Sequence, residues 1–200
     1  MEHVRGAYGA RASEYIELFG SSGTMHRDDL ALLTRHLSIR SGLVLDVGCG
    51  PGHLTAHLCS LGVDATGIDL VPEFIEHARG TYPDGQYEVG SMCQLSLPDG
   101  SVAGMLAWYS LIHIPYADID SVLIEFRRVL ESGGPLVIGF FDGAELVAFD
   151  HAVLTAFYWP IDELAAKLRA AGFVEAERHQ RPGHDQPGHR PHGVIVAIAD

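Results

Sequence analysis

From residue 43 onward, short apolar runs alternate with segments whose apolar positions recur every three or four residues. The runs predict strands over 43–48, 63–68, 87–90, 103–109, 136–141, 173–179 and 194–199. The segments between them predict helices with recognisable ends. Pro51 should sit just inside the first, with Leu54, Leu58 and Leu61 on one face and Gly62 past its end. Pro72 should open the second, which carries Phe74, Ile75 and Ala78 and stops at Gly80. Ile119, Val122, Leu123, Phe126, Val129 and Leu130 form the clearest amphipathic stripe, and Gly133 and Gly134 release the chain into the fifth strand. Residues 161–172 repeat the pattern, with Glu163 and Lys167 placed to pair one turn apart.

Strand and helix alternate as a doubly wound α/β sheet requires. The last two strands are joined by 180–193, a stretch with three prolines in which no helix fits. They should form an antiparallel hairpin at the sheet's edge. Two hundred residues, 47% of them hydrophobic, suit one domain with a full core.

The most informative stretch is 43–58. An apolar run ends at Asp46, passes Gly48, Gly50 and Gly52, and opens into a helical pattern. A buried strand, a glycine turn and a helix N-terminus let backbone N–H groups approach a small ligand closely. Asp69 ends the next apolar run, about twenty residues on, where a carboxylate can accept hydrogen bonds from both hydroxyls of a ribose. A nucleoside-type cofactor is expected. A dinucleotide fingerprint would need glycine where His53 stands, and no phosphate loop of the lysine-containing type is present.

The pattern Asp46-x-Gly48-x-Gly50-x-Gly52 resembles the first motif of the class I S-adenosylmethionine-dependent methyltransferases. The resemblance runs from about Leu30 to Ala199 and implies a seven-stranded Rossmann-like sheet of order 3-2-1-4-5-7-6, with helices on both faces and a final antiparallel hairpin. It divides the single domain 1–200 into lid helices over 1–40 and a cofactor-binding core over 41–200. S-adenosylmethionine is the implied cofactor. The loop of Asp46, Gly48, Cys49 and Gly50 would approach its methionyl part and ribose, with Asp46 near the ammonium or, alternatively, capping the helix. Leu70 would cover one adenine face. Ser91 would meet the exocyclic amine and Met92 would pack on the ring, unless Met92 is ordinary core. The carbonyl near Ala107 would hold the methionyl amine, and the stretch from Trp108 to His113 would border the acceptor. Tyr8 and Tyr15, two helical turns apart, resemble the tyrosines of the family's lid helix; the alternative is that both face the core.

Chemistry narrows further at the strand ends, where open α/β sheets bind their ligands. Trp108 and Tyr109 offer broad apolar surfaces to a planar organic acceptor. His113 is the candidate catalytic base for a hydroxyl acceptor, against a purely structural packing role. Phe149, Asp150, His151, Phe157, Tyr158 and Trp159 make the 142–160 insertion the natural seat of acceptor selectivity. His179, His184, His189 and His192 match no metal-ligand spacing and read as a solvated loop, so no metal is expected.

Composition excludes some partners. Thirteen Lys plus Arg against 26 Asp plus Glu give a net charge of −13, which argues against a nucleic-acid substrate. The one basic concentration is Arg178, Arg181 and Arg190 near the C-terminus. No apolar run approaches the roughly 20 residues of a membrane span. The first residues lead into no apolar signal segment, and three cysteines without ligand spacing read as reduced thiols, so a cytoplasmic location is expected. The expected activity is methyl transfer to oxygen or nitrogen of a small acceptor, as in compact bacterial enzymes that tailor secondary metabolites. The alternative is a cofactor-binding protein of the same fold that performs cyclisation or regulation without transfer. Oligomeric state is not written in the sequence.

Overall fold

The computed structural model describes residues 2–19, 25–151, 153–183 and 190–200. Seven strands form one sheet: β1 (Val44–Val47), β2 (Ala65–Asp69), β3 (Gln86–Val89), β4 (Gly104–Trp108), β5 (Pro135–Phe141), β8 (Phe173–Arg181) and β9 (His192–Ala199). Their order is β3-β2-β1-β4-β5-β9-β8, with β1 to β5 parallel and β9 antiparallel to both neighbours. Counted along this sheet alone, that is the expected 3-2-1-4-5-7-6. The two remaining strands, β6 (Val147–Phe149) and β7 (Ala156–Tyr158), pair only with each other.

Two apolar layers sandwich the sheet. Leu45, Met105, Leu136, Ile138, Ile195 and Ala197 pack on one face against α6 (Ile119–Val129) and α7 (Ile161–Ala170). Val44, Leu106, Val137, Val194 and Val196 pack on the other against α3 (Arg27–Leu37) and α4 (His53–Ser60). Alternate side chains of each central strand therefore reach different layers, which is why the strands read as continuous apolar runs. On α6 the expected stripe is fully buried.

Four local expectations are corrected. Pro51 lies outside α4, whose N-cap is Gly52 at φ 87. A Cβ there would stand 2.6 Å from Ala78 Cβ and 2.7 Å from Tyr87 Cε1, so the turn presses against neighbouring side chains as only glycine allows. The N-terminal segment is two helices, α1 (Glu2–Gly9) and α2 (Ala12–Phe19), because the chain tightens where Arg11 N donates to Tyr8 O at 3.1 Å. Lys167 does not pair with Glu163. It reaches across to Asp120 Oδ2 at 2.8 Å and covers the Tyr116 ring at 4.3 Å from the centroid, joining α7 to the start of α6. Trp159 belongs to the core instead of a selectivity loop, fully buried and stacked on Tyr116. Pro72 opens α5 (Pro72–Thr81) as expected.

Candidate active site

The cleft forms where β1, β2 and β4 end side by side. Past β1 the chain turns at Gly48, φ 71, whose N–H donates to Ile68 O at 2.7 Å. A Cβ on Gly48 would sit 2.3 Å from Ser110 Cβ, so only glycine lets the two loops press together into a cradle at the cleft floor. Gly48, Gly50, Asp69, Leu70, Met92 and Trp108 all line it, together with Tyr8, Tyr15 and His113. Nine of the thirteen sequence-predicted site residues thus meet at one place. Ser110, from the stretch expected to border the acceptor, lines it too, and Phe74 joins them unforeseen.

Four expected residues stand elsewhere. Asp46 is buried behind the wall, where Thr55 Oγ1 donates to its Oδ2 at 2.7 Å. It shares its strand face with Val44, which looks toward α4, so its side chain turns from the cleft. Cys49 is buried against Ile75, Ala78 and Tyr87. Ser91 pairs with Gln94 in a local bridge, and its Oγ accepts from Cys93 N at 3.3 Å. The Ala107 side chain is fully buried in the sheet core, while the expectation for this position concerned its backbone carbonyl.

Asp69 is fixed by its own backbone. Its Oδ2 accepts from Gly50 N at 2.8 Å and its Oδ1 from Val71 N at 2.9 Å. Each carboxylate oxygen has a second lone pair, so two acceptor sites remain for a ligand's hydroxyls. Burial raises its pKa while these backbone donors oppose the rise.

Asp46 has the stronger electrostatic consequence. Burial pushes its pKa up to about 7, the Thr55 hydrogen bond opposing and the Asp69 charge adding. A carboxyl whose pKa is higher folded than unfolded stabilises the fold only while protonated. That contribution disappears as pH rises from about 4, the unfolded value, to the folded one. Asp46→Asn keeps the acceptor for Thr55 and removes the titration. Thermal melts should show the variant gaining on the wild type between pH 5 and pH 8; parallel curves would contradict this account.

Across the cleft, Tyr8 and His113 are joined. The Tyr8 hydroxyl and His113 Nε2 are 2.6 Å apart, and His113 Nδ1 is 2.8 Å from Thr155 O. A carbonyl only accepts, so Nδ1 carries the proton and Nε2 accepts from Tyr8. Burial lowers the His113 pKa, which keeps the ring neutral, and raises that of Tyr8. The expectation for His113 as a free base changes accordingly: both of its nitrogens are engaged. Tyr8 and Tyr15 pack edge to face at 5.4 Å and both touch Phe74, so they line the cleft and build a small core at once. The enclosed space is ≈ 90 Å³. That is less than the roughly 300 Å³ at which ligand sites begin, and Tyr8 of α1 and Tyr15 of α2 are among the side chains that narrow it.

Ser110 Oγ is buried at the cradle without a hydrogen-bond partner. An orphan hydroxyl, an anchored carboxylate and the apolar walls of Leu70 and Met92 match the polar groups and surfaces of a nucleoside cofactor with a polar tail.

The histidine-rich C-terminal region separates. His192 is buried on β9, contrary to the solvated loop expected, and His179 is half exposed, 2.6 Å from Glu177. His184 and His189 lie outside the described residues. Among the described residues no three His, Cys, Asp or Glu side chains are placed to hold a metal, and no helix is long and apolar enough to cross a membrane. Arg178 is tied to Glu175 and Asp162, and Arg181 to Asp29.

Residues 44–134 match the family described as a methyltransferase domain. The ubiquinone biosynthesis O-methyltransferase of Xanthomonas oryzae pv. oryzae is 30% identical over 159 residues, 76% of this chain and 65% of the relative. The chain spans about half to two thirds of the length of the first curated relatives it matches. Burkholderia thailandensis 1,6-didemethyltoxoflavin-N1-methyltransferase, solved with 1,6-didemethyltoxoflavin and S-adenosylhomocysteine, superposes with a TM-score of 0.82 at 23% identity, over 100% of this chain and 88% of its own. The (4+2)-cyclase SpnF superposes with a TM-score of 0.72 at 18% identity, over 86% of this chain and 80% of its own. At these identities both structures speak for the fold.

Proposed function

We propose that this chain, which carries a methyltransferase-domain match over 44–134, is a class I S-adenosylmethionine-dependent methyltransferase and transfers a methyl group to a hydroxyl of a small organic acceptor. The observation that carries this reading is the cradle at Gly48, facing the orphan Ser110 hydroxyl and flanked by the anchored Asp69 carboxylate. Bound there, the sulfonium supplies an electrophilic methyl group. The chain's own residues then have to hold and align.

Asp69 takes the ribose hydroxyls, and Leu70 and Met92 enclose the base. Trp108 and Tyr109, whose rings stand edge to face at 83°, form an apolar wall beside a planar acceptor, and proximity of this kind supplies much of the acceleration. Tyr8 and Tyr15 close the entrance. His113 holds Tyr8 in place in this reading, since its Nε2 is already occupied. Asp46, Cys49, Ser91 and the Ala107 side chain support the loops from behind. Oxygen is favoured over nitrogen by the curated O-methyltransferase relative. A tailoring role in secondary metabolism fits the aromatic β6–β7 hairpin beside the wall, where Phe149 and Tyr158 pack 4.3 Å apart. A net charge of −13 keeps nucleic acid off the list of acceptors.

The second reading, cofactor binding without transfer, draws on the likeness to the cyclase SpnF. Calorimetric titration followed by incubation with methyl-labelled cofactor and a panel of phenols and amines separates the two. Binding of S-adenosylmethionine but no nicotinamide dinucleotide, with label appearing on phenols, is the expected result. Tight cofactor binding with label on no acceptor would replace the proposal by the second reading.

A further inference from the structure

Behind the cleft wall a second set of polar side chains runs from Tyr109 into the interior beneath α3. Tyr109 follows β4 directly and has φ 53, the one non-glycine residue among those described with positive φ. That conformation is strained for a residue with a Cβ, and such strain persists only where its surroundings over-determine it. Here the Tyr109 N–H donates to Gly139 O at 2.8 Å, and the ring lies between Trp108 and Phe141. Its hydroxyl is hydrogen-bonded to Nδ1 of His192, and it is the donor when His192 keeps its proton on Nε2, the nitrogen that faces Asp29.

His192 is buried at the start of β9, paired across the sheet with Phe141 on one side and Arg181 on the other. Its Nε2 lies 3.3 Å from Asp29 Oδ2, close enough for an ion pair but not aligned as a hydrogen bond. Arg181 donates to both Asp29 oxygens, Nη1 to Oδ1 at 2.6 Å. Burial alone would raise the Asp29 pKa, yet His192 and Arg181 hold it at about 2. Asp29 is therefore a carboxylate at neutral pH, facing an imidazole whose far nitrogen has no better partner.

We propose that Tyr109 accepts the proton of the acceptor's hydroxyl while passing its own to His192, and that Asp29 and Arg181 position His192 for this. The inference rests on the O-methylation reading above. A hydroxyl has one proton to donate and two lone pairs. With the proton committed to His192, the lone pairs of Tyr109 are left to receive an acceptor's hydroxyl from the cleft it lines. Of the other imidazoles nearby, His113 has both nitrogens engaged, and His151, packed on His113 and Phe141 with its Nδ1 unpartnered, does not line the cleft. Burial raises the Tyr109 pKa, so the group works as a protonated relay and not as a standing phenolate.

In the transfer the acceptor's O–H bond breaks and its O–CH3 bond forms, while the C–S bonding pair goes to sulfur. The proton goes to Tyr109 Oη, and the Tyr109 proton goes to His192 Nδ1. The resulting imidazolium faces the Asp29 carboxylate, where the loose Nε2 contact becomes charge-assisted. As product leaves, the proton returns through Tyr109 to solvent.

Two measurements test this. In ligand-free protein with 15N-labelled histidine, the His192 resonances should show Nε2–H with Nδ1 accepting a hydrogen bond, and Tyr109→Phe should shift Nδ1. An Nδ1 signal indifferent to Tyr109→Phe overturns the relay. Methyl transfer is then compared on phenol and on 4-nitrophenol, which is largely ionised at slightly alkaline pH and needs no base. Tyr109→Phe should slow transfer to phenol about 100-fold, the typical scale of general-base catalysis, and affect 4-nitrophenol far less. Asp29→Asn should show the same asymmetry more weakly, with melting temperature and S-adenosylhomocysteine affinity reported alongside. His113→Gln, which frees Tyr8, should instead weaken S-adenosylhomocysteine binding and slow both phenols alike. Equal losses on both phenols in Tyr109→Phe would overturn the inference alone. A wild type that methylates neither phenol nor any hydroxyl in the panel overturns the O-methylation reading, and this inference with it.

Discussion

Asp69→Ala should weaken S-adenosylhomocysteine binding by at least about 100-fold, because hydrogen bonds to a charged group contribute about 1.5–3 kcal/mol each and the proposed site gives Asp69 two ribose hydroxyls. The substitution also frees two backbone donors, Gly50 N and Val71 N, that the carboxylate now satisfies. Leaving a buried donor unsatisfied costs about 1–3 kcal/mol, so the melting temperature should fall as well. Asp69→Asn separates the two effects. It keeps one acceptor oxygen for the loop and loses the charge, so affinity should drop about tenfold, matching the loss of about 1.4 kcal/mol, with a smaller change in melting. An unchanged dissociation constant in a folded Asp69→Ala protein would place the ribose elsewhere.

The sheet was legible because both of its faces are buried. That burial writes β4 and β5 as unbroken apolar runs and leaves only Asp46 in β1 and Thr66 and Asp69 in β2 as polar breaks, and the prolines of 180–193 forced the β8–β9 hairpin by forbidding a helix. The β6–β7 hairpin was not legible. Each strand has three residues, too few for periodicity, and the pair is placed by long-range bonds such as Phe157 N to Ile112 O and Trp159 N to Phe141 O. The break between α1 and α2 left no mark either, since no proline stands at Ala10 or Arg11.

The site was half written in the chain. Residues at strand tips, such as Gly48, Asp69 and Trp108, could be placed from the rule that ligands gather there. Asp46 and Cys49 were misplaced because a motif gives positions and not directions. Alternation along β1 sends Asp46 to the same layer as Val44, away from the cleft. The array of Tyr109, His192, Asp29 and Arg181 was invisible, because Asp29 and Arg181 are 152 positions apart and no local pattern couples them. Only the antiparallel return of β9 brings His192 to the strand-four tip.

Gly48→Ala should be the most damaging small substitution in the cleft. At φ 71 a Cβ costs about 1–2 kcal/mol from backbone strain alone. The added atom would also stand 2.3 Å from Ser110 Cβ and 3.3 Å from Met92 Cε. The Met92 end can bend away, but Ser110 Cβ is fixed to its backbone, so one of the two loops must move, at about 1–3 kcal/mol of overpacking. Together these predict a fall in melting temperature of about 10 °C for a protein of this size. The cofactor should suffer more than the fold, since the methyl fills the space where the ligand's polar tail would approach Ser110. Calorimetry should detect no S-adenosylhomocysteine binding at concentrations that saturate the wild type. Gly62→Ala is the matched comparison: its φ of 83 carries the same strain, but a Cβ there meets nothing within 4 Å. It should cost stability and leave cofactor affinity intact. Wild-type affinity in Gly48→Ala would mean that the cradle between Gly48 and Ser110 does not receive the cofactor.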